Sequence, residues 1–367
     1  MVVMLQPGGR GCRRVLWLGL ALAAAGCVPL GPSTVPSDQV DYANAISEAR
    51  KRLTLTNIVK TRYGDAPSYL VASQVVAGYQ LQANVSVNAD VDTSNGFNLS
   101  DSTGLTVGGQ FNNNPTITYT PVAGADFAAL LLAPIAPADL YALIAGGTPP
   151  DLVLGLLLGQ INGLRNDLIE RPGTTASDGR FREFLDLALA LHAAGAFHIR
   201  VEGTGKTRSL FLAIPVSGAA KEIGAQIERF LALLGLDARK EEFPIVYGNG
   251  SGAPETVTML TRSISEILHD LASLIDVPPE DVAAGRTYAT FKAEQADLKR
   301  VRIRAQVGRF QPLFGDAYVS AHYRGRWFWI DNADFRSKQV FSFIIQLLQL
   351  AQTTNAQSLP VITIPSG

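Results

Sequence analysis

Eleven residues, Leu81-Gln82-Ala83-Asn84-Val85-Ser86-Val87-Asn88-Ala89-Asp90-Val91, alternate apolar and polar side chains almost without exception. A period of two cannot form one stripe on a helix, whose period is 3.6, but it sorts cleanly onto the two faces of a strand. The stretch therefore predicts a strand in a sheet that is wet on one face only. A turn-rich segment, Asp92–Gly96, follows. Further short strands are expected at Phe97–Leu99, Leu105–Phe111 and Thr116–Tyr119, with Asn112-Asn113-Asn114-Pro115 as a break. The Gly, Asn, Ser and Thr content of Tyr69–Tyr119 suits an extended hairpin, and both a projecting arm and a strand pair laid on the body satisfy the pattern.

Around this hairpin the periodicity predicts helices. One is expected over Tyr42–Tyr63, with Ala45, Ile46, Ala49, Leu53, Ile58 and Val59 near helical spacing and Arg50, Lys51, Arg52, Lys60 and Arg62 on a solvated basic face. Residues 125–170 read as helical: Phe127–Pro134, then Pro137–Ala145, then a helix opened by Pro149-Pro150-Asp151 and running through Arg165. Arg171–Gly179 is the best domain boundary. Beyond it a helix over Phe181–Ala194, strands His198–Glu202 and Leu210–Pro215, and a helix Ala219–Leu234 are expected. Residues 244–255 read as a Gly/Pro-rich loop and Thr258–Ile275 as a strongly amphipathic helix. Strands Val301–Val307, Ala317–Tyr323 and Arg326–Ile330 follow, then a helix capped by Asp334 and reaching about Leu350, and a last strand Val361–Ile364. The expected class is α+β. A helix and hairpin region over 41–172, rich in strands, precedes a mixed, sandwich-like α/β region over 180–367.

Hydrophobic residues make up 47 % of the 367, ample for a real core, while only 17 % are charged. Globular chains usually carry about 25 %, so the low value fits a surface that is largely covered. Setting aside Arg10, Arg13 and Arg14 leaves 28 of the 31 basic residues against 32 acids, a formal charge of −4. No basic surplus is available to neutralise phosphates, which argues against nucleic acid as a partner.

The first 27 residues have a pattern of their own. Arg13-Arg14 precedes an apolar run, Val15–Ala25, that is too short to span a bilayer as a helix, which takes about 20 residues. Basic residues, a short apolar core and small residues before a cleavage point are the signature of an export signal. The ending Ala24-Ala25-Gly26-Cys27 resembles a bacterial lipoprotein signal, although such signals usually place Leu where Ala24 stands. The resemblance implies that Cys27 is acylated and becomes the first residue, and Val28 after it implies sorting to the outer membrane. An ordinary cleaved signal and an uncleaved anchor are the alternatives. With Cys12 in the leader and Cys27 lipidated, the mature chain has no disulfide and no thiol chemistry. Residues 28–40, with three prolines and no lysine or arginine, read as an extended tether.

Several motifs suggest chemistry and fail on context. Gly203-Thr204-Gly205-Lys206-Thr207 resembles the end of a phosphate-binding loop, but position 200 is Arg where a Gly is needed and the flanks are two strands. A hairpin turn is the better reading. Asp90, Asp92, Ser94 and Asp101 resemble a calcium loop, yet Asn95 occupies the required glycine position. Gly248-Asn249-Gly250-Ser251-Gly252 is out of register with a nucleophile elbow. His192, His198, His269 and His322 lack metal-ligand spacing. No catalytic residue, metal ligand or cofactor site is expected.

The one distinctive surface candidate is Trp327-Phe328-Trp329-Ile330-Asp331. On a strand the two tryptophans share one face and Phe328 and Ile330 the other. Trp327, Trp329, Asp331 and Asp334 are thus candidate interaction residues, with Lys338 nearby. The segments PTITYTPVAGADF and WFWIDNADFRSKQVF resemble an uncharacterised group of Gram-negative lipoproteins. That resemblance implies location and no reaction. The expected function is a non-catalytic structural or assembly component on the periplasmic face, binding another envelope protein. A binding module for a small or polymeric envelope ligand is the alternative, and a periplasmic hydrolase the third.

Overall fold

A computed structural model describes residues 35–76, 79–90, 102–113, 116–121, 124–166, 179–203, 209–215, 221–250, 252–290, 303–312 and 315–353. The fold is α+β. Met1–Lys51 and Arg52–Gly367 form separate units. Helix α1, Val35–Arg62, begins inside the stretch expected to be an extended tether. Pro36 at its start accounts for both, because proline suits an extended chain and a helix's first turn alike. Within the first unit Lys51 pairs with Glu48 one turn back.

In the second unit α1 continues from Arg52 and buries Leu55, Ile58 and Val59. Arg62, expected on a solvated face, is only 1 % exposed. Its guanidinium lies 3.9 Å over the ring of Tyr288 and donates to the Tyr288 carbonyl at 2.7 Å. Stacking on an aromatic face lets an arginine lose water without losing its electrostatic partner.

The hairpin expected from alternation is present and longer than expected. Strand β1 (Leu70–Val76) pairs antiparallel with β4 (Thr116–Pro121), and β2 (Tyr79–Asp90) pairs antiparallel with β3 (Ser102–Asn113). The last pair of one ladder is Val76↔Thr116 and the first of the next is Tyr79↔Asn113. Two residues intervene on each strand, so both ladders keep one register. Among the described residues of these two ladders, a bulge between Ala72 and Gln74 is the one irregularity in pairing. The expected strand at Phe97–Leu99 lies outside the described residues. At the base, Tyr69 and Phe127 meet edge-on with ring centroids 5.9 Å apart. Desolvation in this seat pushes the Tyr69 hydroxyl up to about 12.

From Phe127 the chain passes a wide π-helical turn, Ala128–Leu132, that buries Leu130 and Leu131, into α2 (Pro137–Ala145) and α3 (Pro150–Leu157). The helix expected to run through Arg165 stops at Leu157. It gives way to a hairpin of β5 (Leu158–Ile161) and β6 (Leu164–Arg165), joined at Asn162-Gly163 with φ of 41° and 83°. Positive φ at both central residues is what a two-residue hairpin turn of matching twist requires, and Asn-Gly supplies it at least cost.

These strands join a six-stranded sheet of order β6-β5-β10-β9-β8-β7, in which only β10 and β9 are parallel. Strands β7 (His198–Glu202) and β8 (Ser209–Ala213) match expectation. Strands β9 (Glu242–Tyr247) and β10 (Val257–Thr261) stand where a loop from residue 244 and the start of a helix are expected. Strands β5 and β6, before residues 171–179, pair in the same sheet as β7–β10, after them. Helices α4 (Gly179–Ala193) and α5 (Lys221–Leu234) pack on each other. Ile227, Phe230, Leu231 and Leu234, spaced i, i+3, i+4, i+7, form the buried stripe of α5, with Phe230 5.6 Å from Phe184.

Helix α6 (Ile264–Ser273) starts at Ser263, whose hydroxyl accepts from the Glu266 amide at 3.2 Å. Its stripe of Ile264, Ile267, Leu268 and Leu271 is buried. After the short α7 (Pro279–Ala283) comes a three-stranded antiparallel sheet, β11 (Gln306–Gly308), β13 (Arg326–Asp331) and β12 (Ala317–Tyr323), in the order β11-β13-β12. Helix α8 (Phe335–Thr353) closes the described chain and buries Val340, Phe341, Ile344 and Leu347. Val361–Ile364 lies outside the described residues.

Candidate functional site

Strand β13 sorts its side chains as alternation dictates. Phe328 and Ile330 are fully buried, while Trp327 and Trp329 on the other face are half-buried. Trp327 lies opposite Gly308 of β11 and His322 of β12, and its ring sits 5.1 Å from the imidazole. Trp329 lies opposite Gln306 and Ser320. A Cβ placed on Gly308 would meet the Trp329 ring at 3.1 Å, so the missing side chain is what lets that ring lie down on β11.

Trp329 and Asp331 line an open cleft of about 500 Å³ together with Gln306, Asp316 and Asn332. Its size falls in the range of small-molecule sites. One indole wall among amide and carboxylate groups suits stacking and hydrogen bonding of a polar ligand. The Asp331 carboxylate is already engaged, accepting from the Ala333 amide at 2.7 Å in a local turn. The structure thus brings two of the four candidates together. Trp327 meets the His322 ring at a tilt of 57° instead. Asp334 caps α8, accepting from the Ser337 amide at 3.0 Å and from its hydroxyl at 2.6 Å. Lys338 donates to Asn332 at 3.3 Å, on the rim of the cleft.

A second polar cluster had no signature in the sequence. Tyr63, just past α1, donates a 2.7 Å hydrogen bond to the buried Asp281 on α7, whose other oxygen accepts from Arg286 at 2.5 Å. The Tyr63 bond, aided by Arg286, holds the Asp281 carboxyl below the usual carboxylate range. Burial first, and Asp281 second, push the Tyr63 hydroxyl well above its ordinary value. Tyr63 also meets Tyr323 and Phe328, at 5.6 and 6.3 Å. Close by, Asp65 accepts from Tyr323 and, at 2.9 Å, from Arg324. Apart from the Asp281–Arg286 pair, these contacts join elements far apart in sequence, and the cluster reads as a brace between α1, α7 and the β12–β13 hairpin.

The remaining candidates scatter. His192 and His269 lie on helices α4 and α6, His198 and His322 on strands β7 and β12. The His269 ring is tied to the Ser265 carbonyl at 2.7 Å. Among the described residues no three His, Cys, Asp or Glu side chains gather as a metal-binding group. Of the calcium-like positions only Asp90 is described, and the turn at 204–208, Ser251 and Cys27 lie outside the described residues. Among the described residues no helix is long and apolar enough to cross a membrane. Compared with protein-family models, with curated proteins and with solved structures, the chain matches none.

Proposed function

We propose that this chain is a lipoprotein of a Gram-negative envelope, held by an acylated Cys27 on the periplasmic face of the outer membrane. In this reading it serves as a non-catalytic structural or assembly component that binds another envelope protein. The anchor rests on Arg13-Arg14, the short apolar run and Ala24-Ala25-Gly26-Cys27. The observation that carries the assembly role is the ribbon. Strands β2 and β3 pair over twelve residue couples with each other and with no third strand among the described residues. Among the described residues both outer edges therefore offer rows of backbone donors and acceptors, and adding a strand to such an edge is a recurrent mode of protein recognition.

Intact-mass analysis of protein extracted from membranes tests the anchor. A first residue of Cys27 carrying acyl chains is expected, and an unmodified thiol or a retained leader overturns it. Affinity capture from detergent extracts tests the assembly role when the full chain is compared with one whose 79–113 segment is replaced by a short turn. The expected result is a reproducible protein retained by the first and lost by the second. Equal retention by both chains, or none by either, removes the assembly reading.

The cleft at Trp329 and Asp331 favours a second reading, a binding module for a small or polymeric envelope ligand. Ligand-dependent quenching of tryptophan fluorescence that disappears in Trp329→Phe supports it, and silence across a panel of envelope sugars and peptides counts against it.

A further inference from the structure

The register of the β2–β3 ladder sorts its residues onto two faces more sharply than either strand alone suggests. Leu81 stands opposite Phe111, Ala83 opposite Gly109, Val85 opposite Val107 and Val87 opposite Leu105. Directly opposed residues share a face, so these eight make an apolar band, flanked on the same face by Tyr79 with Asn113 and Ala89 with Thr103. The alternate couples are Gln82 with Gln110, Asn84 with Gly108, Ser86 with Thr106 and Asn88 with Gly104. Every residue on that second face is polar or glycine.

Charge follows the same division along the ribbon's length. No Asp, Glu, Lys, Arg or His occurs between Asp65 and Asp90, or between Asp101 and Asp126. The whole chain is 17 % charged, so these two silent stretches are local to the two sides of the hairpin. Asp90, the last residue of β2, is the first acid after Asp65 along the chain. A ribbon whose two strands carry no charge but Asp90 at one end is the distribution a hydrocarbon layer tolerates and water does not require.

Length and edges make the same case. Twelve residues of strand reach about 40 Å at ~3.3 Å each. Tilted by about 40°, as barrel strands are, they cross roughly 30 Å, the thickness of a bilayer's hydrocarbon core. The edges also lack the usual protection. Soluble sheets blunt an exposed edge with Lys, Pro or a bulge, yet neither β2 nor β3 contains lysine, arginine or proline, and their pairing is unbroken. In lipid each unpaired backbone group on those edges must find a partner, and only a closed barrel provides one for all of them. A second copy of this chain offers the matching edge, because the β3 edge of one copy and the β2 edge of the next run antiparallel. Repeated head to tail, that contact closes into a ring with two strands per copy.

We infer that the ribbon is the membrane-inserting element of a homo-oligomer: its apolar face meets lipid, its Gln/Asn/Ser/Thr face lines a water-filled lumen, and its edges join neighbouring copies into a transmembrane β-barrel. Two strands per copy give an even strand number at every size, and the smallest single-chain barrels, of about eight strands, set a floor of about four copies. This rests on the reading of the chain as an anchored assembly component, and it makes a second copy of the chain the partner.

The test places one charge on adjacent residues that lie on opposite faces. Full-length protein, Val85→Lys and Ser86→Lys are purified in detergent and reconstituted in phosphatidylethanolamine–phosphatidylglycerol bilayers for conductance and cross-linking. Equal thermal melts of the three in detergent show that each body is folded. The parent is expected to form stepwise conducting channels and cross-linked ladders of at least four copies. Val85→Lys, charged on the lipid face, loses at least tenfold in channel frequency. Ser86→Lys, charged in the lumen, keeps conducting and shifts its reversal potential toward anions. Folded, acylated parent protein that never conducts, or two lysine variants that behave alike, overturns the inference. If a different envelope protein is still captured through the ribbon in that case, the assembly role stands and the barrel alone has failed. Conductance from protein whose Cys27 carries no lipid upholds the barrel and refutes the anchor.

Discussion

The hydroxyl of Tyr63 reaches 2.7 Å to a carboxylate oxygen of Asp281, 218 residues away in the chain. Breaking it with Tyr63→Phe leaves a buried carboxylate one donor short, at a cost of about 1–3 kcal/mol. Asp281 titrates lower in the fold than in the unfolded chain, so its contribution is complete above about pH 4 and fades as pH falls through its folded value. Tyr63 titrates higher in the fold, so its contribution is complete below about pH 10 and fades as pH rises further. Urea melts of parent and variant should therefore differ most near neutrality and converge at both extremes. A gap that stays constant from pH 3 to 11 refutes the account.

Gly308→Ala puts a methyl group 3.1 Å from the Trp329 ring. The indole must lift from β11, at a cost of about 1–3 kcal/mol for overpacking, and one wall of the cleft moves with it. A lower melting temperature together with a shift in tryptophan emission is expected. Unchanged emission would mean that Trp329 does not rest on β11.

Asp334 was one of the four surface candidates, and its carboxylate is fully engaged with Ser337. Asp334→Ala should lower stability by about 1 kcal/mol through the lost cap and leave any ligand response of the Trp329 cleft unchanged. A changed response without a change in melting would return Asp334 to the site.

Asn162 holds the β5–β6 turn twice over. Its amide donates to the Leu234 carbonyl at 2.8 Å and its oxygen accepts from the Thr258 amide at 2.6 Å, while its φ is +41°. Asn162→Gly keeps the conformation and loses the bonds, whereas Asn162→Ala loses both. Both should destabilise, Ala more than Gly by about 1 kcal/mol. Equal losses would show that backbone strain contributes nothing at this turn.

Where local pattern and final environment agree, the chain could be read directly. The alternation at 81–90 does become strand, Pro137–Ala145 matches α2 to the residue, and Asp334 caps α8 as expected. Misreadings fell where an apolar run suits more than one state. Only Gly159-Gln160 separates Leu152–Leu158 from Ile161, too short a gap to mark a helix end, although Asn162-Gly163 is itself a hairpin signal. Val257–Thr261 precedes a true amphipathic helix and was absorbed into it. Pro244 and the glycines after Tyr247 disguised β9, which lies inside the sheet between β8 and β10.

From sequence alone came the α+β class, strand rather than helix at 81–90, and the spacing that divides Trp327 and Trp329 from Phe328 and Ile330. These follow from periods of two and 3.6, which act between near neighbours and need no knowledge of the rest of the chain. The tertiary structure alone decided that Trp329 and Asp331 share a cleft while Trp327 and Asp334 do not. It alone paired Tyr63 with Asp281, and set the register that collects the apolar residues of two strands on one face. Each of those depends on which distant segments meet, and the free energy of such a meeting belongs to the pair and is written in neither segment by itself.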